Sequence, residues 1–224
     1  PSMVWQTYDY YLEPTAAYFA IKKASEPLHI QWNPATDEVE VVNYSAGTRN
    51  NLTAKVQILN MDGSVAWEKT ATVNSREDTT EKCIRLEFPE NLSQVHFLKL
   101  WLTENGNVVS DNFYHRSLEE NNYQALKQLP QVSLNCQSEA SRNEKGDWTA
   151  TVTLENPASV PALMIRVNVT GDKDGDQFLP ILYSDNYFAL LPKEKKVITI
   201  RWKDVDTRGN NPTFNISGYN VKEI

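Results

Sequence analysis

Asp185 and Asn186 lie side by side in the stretch Tyr183-Ser184-Asp185-Asn186-Tyr187-Phe188, with aromatic residues on both sides. A carboxylate next to a carboxamide in an apolar frame can hold a polar ligand or an opposing surface, and Tyr187 adds a ring for stacking. The same residue types also cap local backbone groups in irregular segments. Asp185, Asn186 and Tyr187 are therefore the candidate interface or ligand-rim residues, with the capping role as the competing reading. Nothing around them completes a catalytic set. Cleavage of a glycosidic bond needs two carboxylates across a cleft, and the other carboxylates fall in turns or alternate outward along strand-like runs. No catalytic residue is assigned.

The remaining clusters carry less. Asp172-Lys173-Asp174-Gly175-Asp176 offers oxygens at alternate positions, as Ca²⁺ prefers, but no glutamate follows at the distance a helix-flanked calcium loop requires. A solvated hairpin turn is expected there. Cys83 and Cys136 read as two buried free thiols, since no disulfide framework is visible. His29, His96 and His115 are far apart in strand-like runs, without zinc spacing. Asn-x-Ser/Thr triplets begin at Asn43, Asn51, Asn91, Asn168 and Asn215 and, in a chain rich in these residues, say little about its source. No phosphate loop, Ser-His-Asp arrangement or HExxH motif occurs. No metal and no cofactor are expected.

The 224 residues carry 22 Lys plus Arg against 29 Asp plus Glu, a net charge of -7. That balance argues against nucleic acid, whose binding rests on clustered basic residues, and against anionic membrane. The tightest basic cluster, Lys193, Lys195 and Lys196, reads as a protected strand edge. No apolar run is long enough to span a bilayer. The opening Pro1-Ser2-Met3-Val4-Trp5 suggests a fragment or a processed chain.

The elements that must position these residues change character along the chain. After Pro14, Thr15 and an Ala-rich run predict one short helix over Ala16 to Ala24, with Ala17, Ile21 and Ala24 as its apolar face and Glu26-Pro27 as its stop. From Leu28 the period becomes two. Alternating runs cover Leu28–Trp32, Val39–Val42, Ala54–Leu59, Ile84–Phe88 and Phe97–Leu102, with hairpin turns at Asp62-Gly63 and Asn105-Gly106. Residues 117–130 break the rhythm as a connector. Strands then resume at Val132–Leu134, Trp148–Leu154, Leu163–Val169, Val197–Trp202 and Phe214–Tyr219. The expected fold is all-β: two antiparallel immunoglobulin-like sandwiches, residues 28–116 and 131–224, after a helical segment 1–27.

Several ordered stretches resemble a known family. Pro1 to Tyr11, the helix with Glu26-Pro27-Leu28-His29-Ile30-Gln31, Val108 to Tyr114, Tyr123 to Pro130, Leu179 to Tyr187 and Ile216 to Val221 are similar to the C-terminal part of family 2 glycoside hydrolases of the exo-β-D-glucosaminidase type, close to the β-mannosidases. The chain departs from the family's pattern at Ser25, His115 and Lys193, where the family usually has Cys, Trp and Gly. The resemblance implies that residues 1–27 end a catalytic TIM barrel whose carboxylates lie upstream of Pro1. It implies that the sandwiches are non-catalytic, that their partner is that barrel, and that the enzyme is secreted or periplasmic. It also implies a helix deprived of its partner, which either packs on the first sandwich or drives association. Other readings remain: a parent enzyme of β-mannosidase or β-galactosidase activity, a carbohydrate-binding module for β-linked glycans in which Trp32, Trp67 or Tyr187 stacks on an oligosaccharide, and an adhesion protein.

Overall fold

The structure, a computed structural model, describes residues 6–224. These form two compact units: residues 22–129, and residues 130–224 together with the segment up to Ile21.

In the first unit, β1 (Leu28–Asn33), β2 (Glu38–Asn43) and β5 (Thr79–Arg85) form one antiparallel sheet in the order β1-β2-β5. The second sheet has the order β4-β3-β6-β7, from β3 (Arg49–Asn60), β4 (Val65–Ser75), β6 (Val95–Glu104) and β7 (Asn107–Ser117). The alternation read from the sequence sends Val39, Val41, Val56, Ile58, Leu98, Leu100 and Leu102 into one core. The β6–β7 hairpin turns on Asn105 and Gly106, both with positive φ, as a tight two-residue turn requires. Strand β4 was not expected: it is mostly exposed, and its threonines and charges mask the period of two. Leu86 to Phe88 lie outside β5, which ends at Arg85.

In the second unit, β8 (Asn135–Arg142), β9 (Asp147–Glu155), β13 (Lys195–Lys203) and β11 (Leu182–Tyr183) give the sheet β11-β13-β9-β8. It faces the sheet β12-β10-β14, made of β10 (Ala162–Gly171), β12 (Phe188–Leu190) and β14 (Pro212–Ser217). Val152, Leu154, Ile165, Val169, Leu190, Ile198 and Ile200 fill the space between them. Val132 makes only a bridge to Val221, and the first full strand, β8, starts at Asn135. Every residue of β8 except Cys136 is exposed, so no apolar alternation announced it.

The helix α1 spans Ala16–Ala24, as Thr15 and Pro27 predicted. Its working face differs from the expected one. Ala17, Ile21 and Ala24 are exposed, and Phe19 is the buried residue, part of the second sandwich's core. Phe19 reaches Tyr183 and Tyr187, with ring centroids 6.4 and 6.0 Å away. One aromatic ring removes more apolar area from water than the small residues of the other face.

Candidate functional site

The Asp185-Asn186-Tyr187 segment enters β12 beside β10. Asn186 is 4% exposed. Its Oδ1 accepts from Val167 N at 2.8 Å, and its Nδ2 donates to Val167 O at 2.9 Å. The carboxamide thus pairs with the backbone of Val167 as a strand residue would, on the side of β10 opposite its ladder with β14. Oδ1 also accepts from Tyr187 N at 3.1 Å, which helps hold Tyr187 at φ +56. Asp185 accepts from Asn186 N through Oδ1 (2.9 Å), and its Oδ2 meets Lys196 Nζ at 2.5 Å. Lys196 also lies over the Phe188 ring, 4.8 Å from its centroid. Burial pushes the Tyr187 phenol up, as it does that of Tyr183. The polar atoms of this segment are largely spent inside the fold.

The turn that follows has the same character. Glu194 Oε2 accepts from Leu191 N at 2.8 Å. Lys193 adopts φ +66, the left-handed region that favours glycine, and its Nζ reaches Pro157 O at 2.7 Å. Asn156, fully buried, donates to Val160 O and Leu190 O. Asn220 accepts from Leu163 N and donates to Pro130 O and Pro161 O.

The Asp172–Asp176 loop is a tight turn whose oxygens are engaged locally. Asp172 binds Asn211 through both oxygens, Asp174 accepts from Asn210, and Asp176 meets Arg208. Among the described residues no group of three or more His, Cys, Asp or Glu is gathered as metal ligands would be. Both cysteines are free and half-buried. Burial raises the Cys83 thiol to about 11 and pushes Cys136 up as well, so neither is an activated thiolate. A hollow of about 550 Å³, lined by Cys136, Thr153, Glu155, Lys195 and Ile224 among others, lies against β8, β9 and β13.

The three aromatic residues named as sugar platforms are not open faces. Trp32 is half-buried beneath the Arg116 guanidinium, 4.8 Å from its ring centroid. Trp67 is half-buried and packs against the first core, with Lys69 Nζ 5.9 Å from its centroid. Tyr187 lies against Phe19.

The first sandwich holds a polar network that the sequence did not announce. Asp111 accepts from Lys99 Nζ at 2.5 Å through Oδ2 and from Lys23 Nζ at 2.7 Å through Oδ1. Glu26 Oε2 accepts from Ser110 Oγ at 2.7 Å and lies 3.3 Å from His29 Nδ1. Burial pushes Glu26 up, but His29, Ser110 and the Lys23 charge together hold it below its usual range. Glu38, Asp62, Glu68, Asp147 and Asp172 also move down. A glycosidase's general acid needs a shift in the opposite direction.

Two antiparallel sandwiches whose candidate polar residues are engaged within the fold, with backbone or with one another, define a class of structural β-module, of immunoglobulin-like type. The family assignments agree. Residues 112–221 match the exo-β-D-glucosaminidase Ig-fold domain, and residues 37–117 match the mannosidase Ig/CBM-like domain. Residues 37–221 thus carry Ig-like domains of the exo-β-D-glucosaminidase and mannosidase family. It is 32% identical to an exo-β-D-glucosaminidase of Streptomyces avermitilis and 31% identical to one of Hypocrea jecorina, over 99% of this chain in both cases. It spans only 27% of the length of either relative. The crystal structure of an exo-chitosanase from Amycolatopsis orientalis superposes with a TM-score of 0.92 at 28% identity, covering 98% of this chain and 28% of that one. A β-D-mannosidase from Dictyoglomus thermophilum shares the fold, at TM-score 0.62 and 17% identity.

Proposed function

We propose that this chain is the non-catalytic accessory region of a family 2 glycoside hydrolase that cleaves β-linked glucosaminides, and that it buttresses the enzyme's catalytic barrel. Residues 28–116 and 131–224 serve as the two Ig-like domains, 117–130 as their connector, and 1–27 as the end of the barrel. The observation that carries this reading is the ordered match of two Ig-like domains over a chain that corresponds to about a quarter of its relatives' length. Asp185, Asn186 and Tyr187 then serve the domain's own architecture and an interface with the rest of the enzyme. The family resemblance carries with it a secreted or periplasmic location, which fractionation of the producing cells tests.

The decisive experiment compares the full-length enzyme with a version lacking residues 131–224. Hydrolysis of chitosan oligosaccharides and the thermal midpoint should both fall. Unchanged activity and midpoint would remove the buttress role.

A further inference from the structure

Among the described residues, seven side-chain nitrogen and oxygen atoms are buried without a hydrogen-bond partner, and four of them gather at one end of the first sandwich. These are Trp32 Nε1, Gln94 Nε2, His96 Nε2 and Arg116 Nη1. The ladder brings them together. His96 on β6 is directly opposite Arg116 on β7, so their side chains share a face. Gln94 accepts from Leu118 N in the next pair along and, two residues before His96, continues that face. The Arg116 guanidinium lies 4.8 Å from the ring centroid of Trp32 on β1 and 4.0 Å from that of Phe88. The Phe88 ring lies 6.2 Å from the His96 ring. His96 is 2% exposed, and all five residues belong to the same unit.

The Trp, Gln and Arg nitrogens can only donate. His96 Nδ1 lies 3.3 Å from Ser93 O, which places the proton of the neutral ring on Nδ1 and leaves Nε2 a lone pair. A buried donor without an acceptor forfeits its hydration in full. Three such donors side by side, one of them cationic, need a shared acceptor. The carboxylate at hand is Asp37, but its Oδ1 stands 3.9 Å from Arg116 Nη1, beyond hydrogen-bond distance, and its side chain is 45% exposed. A water oxygen accepts two hydrogen bonds, whereas a monatomic anion accepts from every side. The Arg116 side chain, 29% exposed, is the long and flexible member that can move to admit one.

We propose that Trp32, Gln94, His96 and Arg116 form a binding site for a small monovalent anion of the size of chloride, with Arg116 as its counter-charge. The site lies within the first sandwich and stands apart from the accessory reading. A bound anion favours the charged imidazole. His96, held low by burial and by Arg116 while the ring is neutral, then takes up a proton and turns Nε2 into a fourth donor. The charged groups around it are Arg116 from β7 and, beside Arg116, Asp37; Trp32 and Phe88 bring rings only. Anion binding therefore tightens as pH falls.

The test uses the full-length protein at fixed ionic strength, with sodium gluconate exchanged for sodium chloride or bromide. The thermal midpoint should rise with halide, and rise more at about pH 5.5 than at about pH 7.5. Crystals grown in bromide should show anomalous density beside Arg116 and Trp32. Trp32→Phe keeps the ring and removes the donor, and should raise the half-saturating halide concentration about tenfold. Arg116→Gln should abolish the response, and Asp37→Asn should lower the concentration needed. If Arg116→Gln fails to fold, Trp32→Phe still decides. A midpoint indifferent to halide overturns the proposal, as does a water or a carboxylate from elsewhere in the polypeptide found in place of bromide. Bromide density with a halide response unchanged in Trp32→Phe marks an adventitious ion only, and overturns it equally.

Discussion

The two sandwiches solve the same problem with different chemistry. Each must satisfy polar groups cut off from water. In the first, the buried polar residues include Glu40, Lys99, His29 and His96, and ionic contacts link helix to strands. In the second, the buried polar residues are Asn156, Asn186, Asn210, Asn220 and Thr207, all neutral. The first is built mostly from long regular hairpins, where backbone groups pair with one another and side-chain charges are left to tie the layers. The second has short strands and an irregular stretch from Gly171 to Glu194, where amide side chains stand in for missing strand partners. Carboxamides satisfy irregular backbone in both, as Asn43 does in the first, but buried charge is added only in the first.

The contrast can be broken most sharply at Asp111. Asp111→Ala leaves the Lys99 ammonium buried without its carboxylate, and should cost the first sandwich about 3 kcal/mol or more in denaturant unfolding. Lys99→Met should cost clearly less, because Asp111 keeps Lys23. In the second sandwich Asn186→Ala strands both backbone groups of Val167 and should cost about 2–3 kcal/mol, with faster hydrogen exchange along β10. Acid should separate the two units. Burial and the Arg116 charge hold His96 below its ordinary 6.5, and burial does the same to His115. Neutral histidine is favoured in the fold, so stability falls as pH drops below 6.5. Glu26 is also held low, and its contribution is lost as pH falls further, below its ordinary 4.5. The lowered carboxylates of the second sandwich, Asp147 and Asp172, belong to exposed pairs that solvent screens. Amide exchange measured from pH 7 to pH 3 should therefore show the first unit opening before the second; simultaneous opening would erase the distinction. The smallest effect is a gain. Lys193→Gly relieves the positive φ and should stabilise the second unit by about 0.5–1 kcal/mol, less the contact with Pro157.

How much of this was readable without coordinates depended on whether the signal was local. Thr15 and Pro27 bounded the helix, and Asn105-Gly106 marked its hairpin, because helix-stop and turn chemistry act within a few residues. Strands β4 and β8 escaped because polar residues occupy both faces and no period of two survives. Asn186 stood out as an amide among aromatics, but its partner Val167 is 19 residues away, and no spacing rule joins them. Lys99 sits between core-facing Leu98 and Leu100, where a period of two points toward solvent, yet it is only 3% exposed. The helix face was misjudged because periodicity selected the small residues, whereas burial followed the larger ring of Phe19.

Strand β8 runs through eight residues in unbroken register with β9, and among the described residues no strand pairs with its other side. Such an edge is an open valence that any extended peptide can read, including another copy at high concentration. What guards it is colloidal: the exposed polar side chains of Gln137, Glu139, Ser141 and Arg142, and a net charge of -7 that keeps like molecules apart. A change such as Glu139→Val would scarcely register in an unfolding curve, and would show instead in how the protein behaves in company.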